Sequence, residues 1–374
     1  MRQGLIFLLG SVLVPCAASA AGQGETLRLQ VPAGTQLVKS LGVKHELQVL
    51  SMGMTRDGAY IPDTTGGWVS TEQVTRVLDR YDEVANGRPL QLLRTYQEAT
   101  NKGRLDASRD AKTKATEQNV SDSPFVQKSK EGILERQVKF TWVEEEQDWG
   151  RHFEKNDCEE TFLLDLDGDM DFLALTPAGA VEMGATWNIA PQQIRKVLAP
   201  GGNVLLTPRS GALFGRAMEM GLGGDFADFL SSQPTVEIAT CTYKGVREAH
   251  SRRMAVVEVR LKFADLVDRT DLYYTARSKE EKREAAKLLG ATIAYTLDGT
   301  GELLWDLEAQ HVASFKLSGQ ETFSLEVTKE VSIGGNQPMA VGQRSQFGGN
   351  LSLEFGATAP DAGIIPQPKE GSGG

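Results

Sequence analysis

From Ala255 to Phe263 an apolar residue occupies every second position: Ala255, Val257, Val259, Leu261 and Phe263, with Val256, Glu258, Arg260 and Lys262 between them. A period of two belongs to a strand with one buried and one wet face, because successive strand side chains point to opposite sides. The pattern returns in Leu303, Trp305 and Leu307, in Ala313, Phe315 and Leu317, in Phe323, Leu325 and Val327, and in Leu351, Leu353 and Phe355. Runs of this kind joined by Gly-containing turns predict an antiparallel meander. Their apolar faces need a cover, either a second sheet or helices. The expected fold class is α+β, mainly antiparallel β, with a C-terminal meander sheet and a few covering helices.

The N-terminal half is read from its turns. Leu27, Leu29 and Val31 alternate before the turn signal Pro32-Ala33-Gly34. A second extended run goes from Gln36 to about Met54, with Leu47, Val49 and Ser51 on one face and Gln48, Leu50 and Met52 on the other. Residues 72–99 fit two patterns. Val74, Val77, Leu78, Tyr81 and Val84 make a helical stripe behind a Ser70/Gln73 capping box, while Asn86-Gly87 is a strong two-residue hairpin signal. A hairpin centred there pairs Tyr81 with Leu92, Asp79 with Arg94 and Val77 with Tyr96. These are favourable cross-strand matches, so the hairpin is preferred. Residues 100–132 are rich in Lys, Asp, Ser and Thr and read as an exposed, mobile excursion, after which Val138, Phe140 and Trp142 alternate as a strand.

Three helices are expected. Asp157 with Glu160 can start one over 157–175 that places Phe162, Leu163, Leu166 and Met170 on one side, although Asp167-Gly168 could instead turn a hairpin. A short helix spans about Pro191 to Leu198, closed by Pro200 and Gly201, and Ser278 caps one from Lys279 to Leu289, ended by Gly290. The chain divides into a signal peptide (1–20), an N-terminal β region (21–145), a C-terminal α+β region (146–356) and a Pro-, Gly- and Ser-rich disordered tail (357–374).

The signal rests on Arg2, the apolar run Leu5 to Val14 and the small-x-small pattern Ala18-Ser19-Ala20. Cys16 follows Pro15 where a lipidation site would have a small residue, so a lipid anchor is not expected. No other stretch approaches the roughly 18 apolar residues of a membrane helix. The expected location is exported, periplasmic or secreted. The formal charge is −10, and without basic clusters such a chain is a poor partner for nucleic acid or anionic membrane surfaces. Two cysteines lie beyond the signal, Cys158 and Cys241, and an oxidising compartment permits a disulfide between them.

Three stretches together carry a resemblance: Val77-Leu78-Asp79-Arg80-Tyr81 through Asn86-Gly87-Arg88-Pro89-Leu90 to Arg94-Thr95-Tyr96; Met183-Gly184-Ala185-Thr186-Trp187; and Gly299-Thr300-Gly301-Glu302-Leu303-Leu304-Trp305-Asp306-Leu307. Over most of residues 25 to 330 the chain resembles a group of uncharacterised exported bacterial proteins. That resemblance implies a largely β fold and a bacterial envelope location. It carries no assigned activity, and so no catalytic residue.

Chemistry is sparse. Asp165, Asp167, Asp169 and Asp171 alternate as the oxygen ligands of a calcium loop do. The EF-hand match is poor: Gly168 sits at the fourth position instead of the sixth, and Thr176 stands at the twelfth. An acidic helix face or turn accounts for the cluster better. His45, His152, His250 and His311 show no zinc spacing. Ser210-Gly211 lacks the leading glycine of a nucleophile elbow, and Gly221, Gly223 and Gly224 lack the setting of a phosphate loop. Trp187 and Trp305 are candidate lining residues of a ligand groove, although large aromatics more often fill cores. Glu144 to Glu146, Glu159 and Glu160 are generic acid candidates for glycoside hydrolysis. The expectation is a non-enzymatic envelope protein that binds an apolar ligand or a protein partner, with no cofactor. The alternatives are a secreted hydrolase with convergent acidic residues and a calcium-stabilised module.

Overall fold

The alternation is realised as very long strands, and all thirteen of them join one sheet. The computed structural model describes residues 24–106, 118–119, 133–202, 230, 233–268, 270, 287–331 and 339–360, apart from positions 57–58, 65–66, 156–157, 159, 164–165 and 250. The signal (1–20), most of the tail and most of the 100–132 excursion therefore lie outside the described residues.

The strands are β1 (Gln36–Arg56), β2 (Ala59–Thr64), β3 (Trp68–Ala85), β4 (Arg88–Asp106), β5 (Gln118–Asn119), β6 (Gln137–Val143), β7 (Asp148–Phe153), β8 (Thr186–Asn188), β9 (Thr235–Ala249), β10 (Arg252–Asp268), β11 (Lys287–Asp306), β12 (His311–Val331) and β13 (Met339–Thr358). Their order across the sheet is β7, β6, β4, β3, β1, β13, β12, β11, β10, β9, β8, with β2 beside β1 and β5 beside β4. Every named pairing is antiparallel. The pairing of β1 with β13 joins the two halves of the chain in one sheet, and the boundary at 145/146 falls inside the β6–β7 turn. The 21 residues of β12 span about 70 Å at roughly 3.3 Å each, several times the usual strand.

One face, here called inner, is apolar and buried; the other is polar and exposed. On β10, Val257, Val259, Leu261 and Phe263 are buried while Glu258 and Arg260 are exposed. Trp305, Phe315, Leu317, Phe323, Leu325, Leu351, Leu353 and Phe355 continue the inner face. The expected Ala313 is replaced by Val312 in the buried set, because a bulge opposite Leu304/Trp305 shifts the phase. A bulge between Val49 and Ser51 does the same on β1. Ser51 hydroxyl donates to Gln346 at 3.0 Å, and Leu50 is left exposed.

The Asn86-Gly87 hairpin forms with the expected partners Tyr81–Leu92, Asp79–Arg94 and Val77–Tyr96. Asn86 (φ 53°) and Gly87 (φ 82°) both take the left-handed conformation that a two-residue hairpin with right-handed twist demands. Four expectations are corrected. Residues 24–31 stay extended, with Leu27, Leu29 and Val31 buried, but only Glu25 makes a bridge, to Val181. Strand β4 continues to Asp106, well into the supposed excursion. Residues Lys287 to Gly290, expected to end a helix, are strand paired to β12, a case of tertiary pairing overriding local preference; residues 279–286 of that helix lie outside the described residues. Strand β13 passes Gly356 to reach Thr358, with Ala357 buried.

Among the described residues, the expected helix over 157–175 does not form. A single 3-10 turn covers Glu160–Leu163, another covers Leu173–Leu175, and residues 166–172 between them are irregular. Aspartates explain the break. Asp169 N–H donates to Asp167 Oδ1 and Asp171 N–H to Asp169 Oδ1, both at 2.8 Å, so side chains capture donors that helical bonds would use. Phe162, Leu163, Leu166 and Met170 are nevertheless buried together. The short helix α1 (Ile194–Leu198) forms after a 3-10 turn at Pro191–Gln193. The segments 24–31 and 160–202 cover part of the inner face: Phe172 packs against Phe315 and Phe355 with ring centroids 4.7 and 4.9 Å away.

Candidate functional site

Charged residues interrupt the apolar phase of three neighbouring strands, and they converge. Lys39 stands between Leu37 and Leu41 on β1, Asp79 between Val77 and Tyr81 on β3, and Arg94 between Leu92 and Tyr96 on β4. All three are fully buried, as is Asp171 of the covering segment. Lys39 Nζ lies 2.8 Å from Asp79 Oδ2 and 2.9 Å from Asp171 Oδ1. Arg94 grips Asp79 with two bonds, Nε to Oδ1 at 2.7 Å and a terminal nitrogen to Oδ2 at 2.9 Å. Its remaining donors reach the carbonyls of Asp167 and Gly168 at 2.8 and 2.9 Å, and Tyr81 hydroxyl donates to Asp171 at 2.7 Å.

Two cations thus meet two carboxylates in a dry, neutral network that fastens the 166–171 segment to the sheet. Burial pushes the Asp79 carboxyl up, but Arg94 and Lys39 reverse this and hold it below the usual value. Burial also raises the Tyr81 phenol far above its ordinary range, with Asp171 adding to the effect. Because the cations are spent on these carboxylates, the network anchors structure and leaves Asp171 Oδ1 committed to Lys39 and Tyr81.

The remaining candidate calcium ligands are dispersed by the same geometry. Asp165 lies outside the described residues. Asp167 faces Lys196 at 3.4 Å, and Asp169 is almost buried. Burial, then Asp167 and Asp171, push the Asp169 carboxyl up to about 6. A raised carboxyl binds its proton more tightly in the folded state, so its contribution is favourable below its unfolded value and lost as pH rises through about 6. Asp169→Asn keeps the acceptor for Asp171 N–H and removes the charge. It should raise stability at pH 7 by on the order of 2 kcal/mol and flatten the decline between pH 4 and 6, as read by thermal melts across that range.

A second polar cluster lies in the middle of the inner face. His45 Nδ1 is 2.9 Å from Glu321 Oε1 and 3.1 Å from Oε2, and Tyr295 hydroxyl donates to Oε2 at 3.0 Å. His45 is on β1 and Glu321 on β12, and they meet across β13, where Gly349 lies opposite both Leu47 and Glu321. The sequence pattern does not name His45 as the partner of Glu321, because the encounter depends on the side chain that Gly349 lacks.

Trp305 is fully buried beside Leu303 on the inner face and belongs to the core. Trp187 is half-buried on β8 opposite Cys241. The structure does not bring the two tryptophans together: three strand steps separate them. Cys158 and Cys241 are not joined, so the permitted disulfide is not formed. Cys241 faces inward on β9 between Val259 and Trp187, and burial pushes its thiol up to about 12, which makes it unreactive. Glu144 to Glu146 occupy the β6–β7 turn, where Glu144 accepts from Trp142 and Gln147 at 2.7 and 3.0 Å. Glu159 lies outside the described residues and Glu160 is exposed. No helix among the described residues is long and apolar enough to cross a membrane.

Neither a protein-family model nor a curated protein matches the sequence. Among solved structures, lipovitellin, studied for lipid–protein interactions, is similar at 11% identity with a TM-score of 0.26, over 91% of this chain. This chain spans about a quarter (27%) of that protein's length. An outer membrane channel from Pseudomonas putida F1 is similar at 10% identity and TM-score 0.23, over 88% of this chain and 98% of the channel. Likenesses this remote carry no argument about this chain.

Proposed function

We propose that this is an exported, non-enzymatic envelope protein that holds an apolar ligand against the inner face of its sheet. One observation carries the reading. The inner wall is apolar from the half covered by Phe172 to the far half, through Phe263, Ile293, Leu297, Phe323, Leu325 and Phe347. It ends at a rim where Met54 and Ile61 point inward yet are exposed. An apolar wall with an open end, interrupted by the His45–Glu321–Tyr295 cluster and with Lys39 and Arg94 matched to Asp79 and Asp171, suits a ligand retained by burial of apolar area and needs no reactive group. Native mass spectrometry of the protein purified from its own host tests this directly. The expected spectrum shows excess mass that leaves on denaturation, with an apolar molecule in the released fraction. A mass equal to the bare chain in every preparation would remove the reading.

A further inference from the structure

Five of the nine exposed large apolar side chains among the described residues are gathered at one corner, while Met183, Val246, Leu266 and Leu289 stand apart from it. Leu50 and Met54 of β1, Tyr60 and Ile61 of β2 and Trp68 of β3 are 52, 52, 42, 52 and 45% exposed. The register places them together: Met54 opposite Ile61, Tyr60 opposite Thr55, and Trp68 opposite Gln48. They occupy both faces of the sheet. Met54 and Ile61 share the inner side, whereas Tyr60, whose ring lies over Gly53, and Leu50, which lies over Gly348, are on the outer side with Trp68. A protein partner laid on one face would leave the other wet. A medium that surrounds the corner buries both.

We propose that this corner is a docking element for a phospholipid surface, inserted into the headgroup region. The composition fits that medium. Tyr60 and Trp68 join an apolar ring system to a polar tip, which is how aromatic residues settle at membrane–water boundaries. Arg56 and Arg344 are exposed next to the apolar group, one on each side of the sheet, where lipid phosphates would lie; Glu326 stands opposite Arg344 on β12. The formal charge of −10 opposes attraction by an anionic surface, so apolar insertion drives the contact and zwitterionic lipid suffices. The corner is also the rim at which the inner wall opens, so a docked molecule would present that opening to the bilayer. Membrane attachment itself does not depend on a retained ligand.

Full-length mature protein is mixed with phosphatidylcholine vesicles, plain or brominated in the acyl chains, and binding is read by co-sedimentation and by quenching of tryptophan emission. Co-sedimentation with plain vesicles and quenching that disappears in Trp68→Phe are expected. The surface variant Leu50→Asp/Ile61→Asp should bind about tenfold or more weakly, with the thermal melt unchanged. Tyr60→Ser provides a milder second variant with a smaller loss. The proposal is overturned if the wild-type chain stays in the supernatant or if the aspartate variant binds equally well. It is overturned too if binding needs phosphatidylglycerol and vanishes in salt. Concentration-dependent dimerisation that is lost in the aspartate variant, without vesicle binding, would assign the corner to a second copy of the chain instead.

Discussion

Arg94→Met is expected to lower the free energy of unfolding by about 3–5 kcal/mol, which is what removing one partner from a buried ion pair costs. The side chain is fully buried and makes four bonds, two to Asp79 and two to the carbonyls of Asp167 and Gly168. Methionine fills similar volume but supplies no donor. Lys39 alone must then balance Asp79 while it also serves Asp171. Urea titrations at pH 7 read the loss. The pH dependence fixes its cause. Asp79 has a folded value below 3.8, so its stabilising share is complete above that value and is lost as pH falls through the lower folded one. In the variant the depressing guanidinium is gone. The gap between the two proteins should therefore be widest above about pH 4 and narrow at more acid pH. A gap of constant size down to pH 2 would show that packing, not charge, was removed. Adding Asp79→Leu to Arg94→Met should recover part of the stability, because it deletes the unpaired charge. Recovery stays incomplete while the two loop carbonyls lack donors.

This network also marks how far the sequence could be read. Period-two alternation located the long strands, and the Asn86-Gly87 turn fixed the β3–β4 register residue by residue. The same alternation carries a second sign. Lys39, Asp79 and Arg94 each sit in the apolar phase between buried neighbours, and a charge at such a position must find an opposite charge inside. Glu321, after Leu317 and before Phe323, gives the same sign. What alternation could not reveal is the partner. Asp171 arrives from the covering segment, and His45 arrives from a strand two places away in the sheet order. The helix expected over 157–175 failed for a local reason. Asp157 and Glu160 favour a helix start, but Asp167 and Asp169 spend their oxygens on backbone N–H groups two residues on. The bulge at Val49/Ser51 turns Ser51 outward and Met52 inward, and the one opposite Leu304/Trp305 puts Val312 in place of Ala313, neither disturbing the strand that contains it.

The adjacent glycines Gly348 and Gly349 should respond to alanine in opposite ways, with Gly349→Ala costing on the order of 3 kcal/mol and Gly348→Ala under about 1 kcal/mol. Both lie in β13 between β1 and β12. A Cβ on Gly348 points outward and meets Leu50 Cδ1 at 3.0 Å, the far end of a flexible and exposed side chain. That neighbour can turn aside. A Cβ on Gly349 points inward and overlaps the Glu46 carbonyl oxygen, with the Leu47 Cα at 2.9 Å. Backbone atoms of a paired strand cannot turn aside, so β1 and β13 must separate or twist. The position matters beyond the clash, because His45 and Glu321 bond across β13 at this level. Parting the strands lengthens that contact and leaves a carboxylate that is 2% exposed with Tyr295 as its remaining donor of the pair. Denaturant titration of both variants measures the difference, and an unchanged slope on denaturant would show that the unfolded states are comparable. Equal and small effects would mean that β1 and β13 approach each other less closely than the register requires. Equal and large effects would mean instead that the β13 backbone needs glycine at both positions, for reasons of conformation and not of contact.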